Sequence, residues 1–172
     1  ALGYTRDLPL YVAAAAPYLL DGRTKLITNA GGINPVAAGR AVAGFAKQAG
    51  VGGLTIATVV GDDVRPRAVE LGLPDDAIFA NAYLGAWGIV DCLRAGADIV
   101  VTGRVTDASV VVGPAAAHFG WSRRDYDRLA GAVVAGHVIE CGTQATGGNY
   151  SFFAEIPDLN HPGFPLAEVH AD

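Results

Sequence analysis

The sequence predicts an α/β fold, a mostly parallel sheet with helices on its faces and a ligand rim at the carboxyl ends of its strands. Three observations predict it. Apolar runs of strand length (25–28, 54–60 and 98–102) alternate with longer stretches of helical periodicity, the signature of βαβ units. Each of these runs is followed by a short turn rich in Gly, Asn or Asp, which suits a change from strand to helix. Of the 172 residues, 51% are apolar and 17% charged, enough for a substantial core and incompatible with intrinsic disorder.

The elements follow in order. Residues 8–20 read as a helix kinked or ended near Pro17, with Asp21-Gly22 as punctuation. Lys25-Leu26-Ile27-Thr28 is a short buried strand. After it, Asn29-Ala30-Gly31-Gly32-Ile33-Asn34-Pro35 turns into a helix for which Asn34 is the N-cap and Pro35 the first residue. That helix runs to about Ala49 and stops at Gly50. The β-branched stretch 54–60 predicts a strand buried on both faces, ended by Gly61-Asp62-Asp63. Between Pro66 and Pro74 only 67–71 reads as helix, and Ile78-Phe79-Ala80 as a small strand. Residues 83–94 form an amphipathic helix closed by Gly96. Residues 98–102 are the third strand and lead into Gly103-Arg104-Val105-Thr106-Asp107. Helical patterns over 108–119 and 123–140 follow, the second with Leu129, Val133, His137 and Glu140 or Cys141 on one face. The Gly- and Thr-rich stretch 141–149 is a loop, and the tail, with Pro157, Pro162 and Pro165, is irregular.

Length fits one domain over 1–172. Lys and Arg number 12 against 17 Asp and Glu, a formal charge of −5, so the chain has no bulk attraction for nucleic acid or anionic lipid. The 23 glycines are dispersed, without a triplet period. No Met occurs, and the expectation is a piece of a longer chain. The run 8–20 is broken by two prolines and lacks a basic leader, so it is no signal peptide. No stretch reaches the roughly 18 uninterrupted apolar residues of a membrane span. Cys92 and Cys141, without CxxC spacing, are expected to be free thiols in a cytoplasmic protein.

In a parallel sheet, ligands bind beyond the carboxyl ends of the strands. That rule gathers three loops on one rim: 29–34, 61–63 and 103–107. In the first, Gly31 and Gly32 allow close approach of a ligand to backbone donors at a helix N-terminus, flanked by Asn29 and Asn34. A tight turn with Asn34 only capping accounts for the same residues. The loop is neither GxGxxG nor GxxxxGK[ST], which argues against a bound nucleotide and against hydride transfer from a nicotinamide. Asp62 and Asp63 are a candidate metal pair, or a general base raised by its neighbour. They equally suit a solvated turn. Arg104 is shaped for a carboxylate, phosphate or thioester carbonyl, and Asp107 for a helix cap or a proton carrier. An Arg104–Asp107 pair that merely stiffens the loop is the plain alternative. His137 and Glu140, at i and i+3, form a candidate proton-transfer pair, against which stands a buried, hydrogen-bonded histidine of purely structural use. Cys141 reads as structural, since a helix C-terminus does not activate a thiolate. HxxEC is no metal motif of known spacing.

Four strings occur together in a fixed order: Leu26-Ile27-Thr28-Asn29-Ala30-Gly31-Gly32 with Asn34-Pro35; Ala80-Asn81-Ala82-Tyr83-Leu84-Gly85-Ala86; Val101-Thr102-Gly103-Arg104-Val105-Thr106-Asp107-Ala108; and Ala135-Gly136-His137-Val138-Ile139-Glu140-Cys141-Gly142 with Gln144-Ala145-Thr146-Gly147-Gly148. On these the chain resembles the acyclic terpene utilisation family, the AtuA type, over about 2–168. Members are longer at both ends, so the resemblance implies the central part of the family domain, lacking a first strand and its glycine loop. It also implies a place in the catabolism of branched acyclic terpenoids through acyl-CoA esters, and adds Asn81, Gln144, Gly147 and Gly148 to the candidate substrate-binding residues.

The expected function is proton-transfer chemistry (hydration, isomerisation or lysis) on a branched acyl-CoA or related acid. Asn29, Gly31, Gly32, Asn34, Asn81 and Arg104 would bind substrate, and Asp62, Asp63, Asp107, His137 and Glu140 would move protons. The rival is a non-catalytic binding or scaffolding subunit of an acyl-CoA carboxylase-type assembly, which the apolar composition suits. A weaker third is a metal-dependent hydrolase using Asp62, Asp63 and Asp107. A homo-oligomer or subunit of a larger assembly is expected, with a small-molecule substrate, no nucleic acid and no membrane as partner. The cofactor is left unassigned and no metal site is assigned.

Overall fold

The computed structural model describes residues 2–74 and 76–172. The chain packs as two compact units, Ala1–Thr106 and Asp107–Asp172.

The first unit is α/β. In chain order it contains α1 (Leu8–Leu19), β1 (Leu26–Thr28), α2 (Pro35–Gln48), β2 (Ile56–Val59), α3 (Trp87–Arg94) and β3 (Ile99–Thr102). The strands form a parallel sheet in the order β1-β3-β2, with Leu26 and Ile56 both in register with Ile99. The strand period of two divides the side chains of β3 between two cores. Ile99 and Val101 pack with Leu8, Val12 and Leu19 of α1 and Ala38, Val42 and Ala46 of α2. Val100 points the other way, into a smaller core with Val59 and with Ile89 of α3. Two helices therefore cover one face of the sheet and a third covers the other.

The predicted starts and stops largely hold. Asn34 Oδ1 accepts the Ala37 N–H at 3.3 Å, and Pro35 opens α2. Gly50 follows its end at φ +80°. Pro17 is accommodated within α1, which continues to Leu19. At the amino edge of the sheet, Asp98 accepts both Lys25 Nζ (2.7 Å) and the Thr55 N–H (2.9 Å). One carboxylate thereby ties together the entries to all three strands, and those donors, the Lys25 ammonium first, hold it below the usual carboxylate range.

Several expectations for this unit need correction. The strand expected over 54–60 is shorter, Ile56–Val59, and only partly buried along most of its length, and the buried strand expected over 25–28 covers Leu26–Thr28 and is likewise only partly buried, because both lie at edges of the sheet; the central β3 is buried throughout. No α-helix spans 67–71. A single 3-10 turn, Arg65–Arg67, and irregular turns stand there, since five residues between Pro66 and Gly72 are too few to offset helix nucleation, and Val69, 90% exposed, docks nowhere. Residues 78–80 form no strand; the pairing falls later, as an isolated antiparallel bridge between Asp63 and Asn81. Finally, α3 begins at Trp87 rather than Tyr83, because Leu84 is drawn into a bridge with Val105, its N–H donating to the Arg104 carbonyl at 3.1 Å.

The second unit is a helical hairpin followed by an irregular tail. Its helices are α4 (Ser109–Phe119), ended by Gly120 at φ +71°, and α5 (Tyr126–Cys141). They pack on each other so closely that a Cβ on Gly136 would lie 2.8 Å from the Ala108 Cα. This corrects the expected face of α5. Its buried residues are Ala132 and Gly136, while Val133, His137 and Glu140 are exposed, because small residues rather than branched ones allow that approach. Apart from two 3-10 turns, Gly142–Gln144 and Phe153–Glu155, the tail is irregular as expected. Among the described residues, no helix is long and apolar enough to cross a membrane.

Candidate functional site

Because the three strands are parallel, the loops 29–34, 61–63 and 103–104 all leave the same edge of the first unit's sheet. The loop after the central strand β3 is touched by both neighbours. From one side comes Gly31, where a Cβ would run into the Thr102 carbonyl oxygen; from the other comes the Asp62 carboxylate, which a Cβ on Gly103 would strike. Both glycines are required by close packing within the chain.

Asp62 is the centre of this rim. It is 2% exposed, an unfavourable place for a carboxylate unless donors surround it. Its Oδ2 accepts Asn81 Nδ2 and the Arg104 N–H, each at 2.9 Å. Its own carbonyl accepts the Ala82 N–H at 2.8 Å. One buried side chain thus fixes the backbone that carries Arg104 and the segment that carries Tyr83. The half-buried Arg104 side chain donates from Nη2 to Tyr83 Oη at 3.0 Å. Its guanidinium carbon lies 4.9 Å from the Tyr83 ring centroid, within range of a cation–π attraction. Arg104 is therefore oriented by a neutral partner, which leaves its positive charge uncompensated by that contact.

Asp63 takes the opposite direction. Its carboxylate meets Arg65 Nη2 at 2.6 Å and Nε at 3.0 Å, and the Arg65 side-chain hydrogen bond is the main cause that holds it below its ordinary pKa. The adjacent acids part, one inward and one to solvent, and Asp63 is lowered where a coupled base would be raised. Among the described residues, no three of His, Cys, Asp and Glu are grouped as a metal centre requires.

The loop 29–34 satisfies much of its own backbone. The Gly32, Ile33 and Asn34 N–H groups donate to the carbonyls of Asn29 (3.2 Å), Gly3 (2.9 Å) and Gly31 (2.9 Å). Gly32, at φ +56°, supplies the left-handed turn. Asn34 is engaged at both ends, capping α2 and donating to the Leu2 carbonyl at 3.3 Å. Asn29 is half-buried beside it.

The remaining candidates belong to the second unit. Asp107 is exposed and lies one residue outside the N-cap of α4, a position held by Ala108. His137 and Glu140 are exposed on α5, so His137 is no buried core histidine. The Glu140 carboxylate accepts from Cys141 Sγ at 3.6 Å. Desolvation first, and then that carboxylate, raise the Cys141 thiol pKa, which keeps it protonated and a poor nucleophile. Gln144 is exposed within the 3-10 turn after α5. Gly147, at φ +129°, lies near Ile156 and Leu159, and Gly148 lies against the Thr143 carbonyl. Tyr83 was not among the residues singled out from the sequence. The reading of 83–94 as helix hid it, and no local signal marks it.

Fold and rim together define an α/β protein with a parallel sheet, whose strand-end edge carries an oriented arginine over a buried aspartate. The chain belongs to the acyclic terpene utilisation family: the family model described as "Acyclic terpene utilisation family protein AtuA" matches residues 1–172. No curated protein and no solved structure matches the chain.

Proposed function

We propose that this chain serves acyclic terpene utilisation as an enzyme acting on a branched acyl-CoA or related acid, and that the first unit's strand-end rim binds the acid or thioester end. The observation that carries the reading is Arg104, held by Tyr83 rather than by a carboxylate, with its backbone anchored on buried Asp62. A planar guanidinium in that state matches a carboxylate, phosphate or thioester carbonyl. In this reading Asp62 is a positioning residue, and Asn81 shares that work. Asn29, Gly31, Gly32 and Asn34 shape the neighbouring wall. Asp63, committed to Arg65, is peripheral. Exposed Asp107, His137 and Glu140 are the proton-transfer candidates of the second unit, with Gln144, Gly147 and Gly148 as its binding candidates. The chemistry proposed is proton transfer next to a carbonyl, as in hydration, isomerisation or lysis.

Titration calorimetry of the full chain with a panel of branched acyl-CoA esters and free acids tests the binding step. Arg104→Gln should weaken the preferred ligand by tenfold or more, while Asp63→Asn leaves it unchanged. Equal affinity in wild type and Arg104→Gln overturns the rim as the binding site. Loss of turnover in His137→Ala or Asp107→Ala, with binding intact, tests the proton-transfer roles separately.

The scaffolding alternative draws on exposed apolar side chains, among them Leu10, Tyr11 and Tyr18 of α1. Light scattering of the chain alone and with acyl-CoA carboxylase subunits decides it: a persistent monomer under both conditions counts against it.

A further inference from the structure

Helix α1 carries no charged residue anywhere along Leu8–Leu19. Its inner face, Leu8, Val12, Ala16 and Leu19, is buried against α2 and the sheet. Its outer face is apolar as well. Leu10, Tyr11 and Tyr18 are 69%, 56% and 65% exposed, and with exposed Ala14 and Pro17 they share one helical stripe. A helix that is apolar all round belongs in an interior, and this one, at 12 residues, is too short to span a bilayer. With Leu20 beside them, 66% exposed, these side chains offer roughly 500 Å2, taking about 150–250 Å2 for each aromatic. A patch of that size marks a contact surface.

We propose that the outer face of α1 is a dimer interface, covered by α1 of a second copy running antiparallel, with the two Ala14 side chains at the crossing point. Two observations select a second copy. The first is shape: Ala14 makes a narrow waist between Leu10 and Tyr11 on one side and Tyr18 on the other. Two such helices approach closely where they cross, and their large side chains fall on either side. The second is charge. Exposed Arg6 and Asp7 precede α1, while exposed Asp21 and Arg23, paired with each other at 3.0 Å, follow it. Antiparallel pairing sets Arg6 toward Asp21 of the partner subunit and Asp7 toward the partner's Arg23. Parallel pairing sets each charge against its like. Exposed pairs of this kind fix orientation more than affinity. Ala14, Pro17 and the charged ends extend the covered area toward the about 800 Å2 that each partner of a stable complex contributes, and the contact closes on itself as a two-fold. Anionic lipid is a poor rival for a chain of formal charge −5. The interface lies wholly in the first unit and does not depend on the reading of the rim.

Size-exclusion chromatography of the full chain with light scattering tests the proposal. Wild type should run at twice the chain mass and dissociate on dilution. Leu10→Glu combined with Tyr18→Glu should give a monomer with unchanged far-ultraviolet circular dichroism. Arg6→Glu should raise the dissociation constant about fivefold, and adding Asp21→Lys should restore it. In a background of Cys92→Ser and Cys141→Ser, Ala14→Cys should form an intermolecular disulfide on mild oxidation, because the crossing point brings its two Cα atoms close enough. Tyr18→Cys should not, since the antiparallel register keeps its two copies apart. A wild-type chain that is monomeric up to its solubility limit, a dimer untouched by the paired Glu substitutions, or cross-linking of Tyr18→Cys in preference to Ala14→Cys would each overturn it. So would a monomer whose α1 variants lose only a complex with acyl-CoA carboxylase subunits.

Discussion

Asp62 and Arg104, 42 residues apart, are joined by a 2.9 Å hydrogen bond from the Arg104 backbone N–H to the Asp62 carboxylate, and the same oxygen takes the Asn81 side chain. Removing the carboxylate leaves two donors without their acceptor at a buried site. Asp62→Ala should therefore cost about 2–3 kcal/mol of stability, read from urea denaturation. Asp62→Asn, which keeps an acceptor oxygen, should cost less. Equal stability of Asp62→Ala and wild type would show that the rim is not organised around this group.

Gly103 packs against that carboxylate. Gly103→Ala should destabilise by about 1–3 kcal/mol, and part of that cost should vanish in an Asp62→Ala background, where the obstruction is gone. A double-mutant cycle by urea titration measures the coupling; strict additivity would place the strain elsewhere.

Tyr83 orients Arg104 through a hydroxyl and a ring face. Tyr83→Phe removes one contact and Tyr83→Ala both. Affinity for the preferred acid should fall in the order wild type, Tyr83→Phe, Tyr83→Ala, with the last loss about tenfold. Calorimetry with unchanged thermal melting separates this from unfolding.

The amino edge of the sheet predicts an acid response. Asp98 has a lowered pKa in the folded chain. Its contribution is therefore fully present above the unfolded value, near pH 4, and is lost as pH falls through the lower folded value. Asp98→Asn should be less stable than wild type at neutral pH by about 1 kcal/mol, and the gap should close in that acid window. Denaturant titrations at several pH values check it; a gap independent of pH would contradict the assignment.

Much of the sheet was legible because its signals are local. The β-branched run 99–102 announces the central strand, and Asn34-Pro35 announces its helix through a cap one turn long. The non-local features were not legible. Nothing near Tyr83 signals that Leu84 will leave the helix to bridge Val105, and the edge position of β2 depends on strand order. On α5, Val133, Val134 and Val138 suggest an apolar stripe, yet the packing face belongs to Ala132 and Gly136, whose small size gives no hydropathic mark. At the rim, Asp62 and Arg104 follow from the strand-end rule and Asn81 from the family resemblance. The divergence of Asp62 and Asp63 is decided by Arg65, two residues on, and by Asn81, distant in sequence.

The two hydrogen bonds flanking the Asp63–Asn81 bridge, Val64 N–H to the Ala80 carbonyl and Ala82 N–H to the Asp62 carbonyl, close the stretch between them like the neck of a bag. What hangs below that neck can change in length without shifting Asp62 or Asn81, because the entropy of a closed loop rises only slowly with added residues. Val69, bare to solvent, marks where a reporter peptide could be spliced in with the rim left standing.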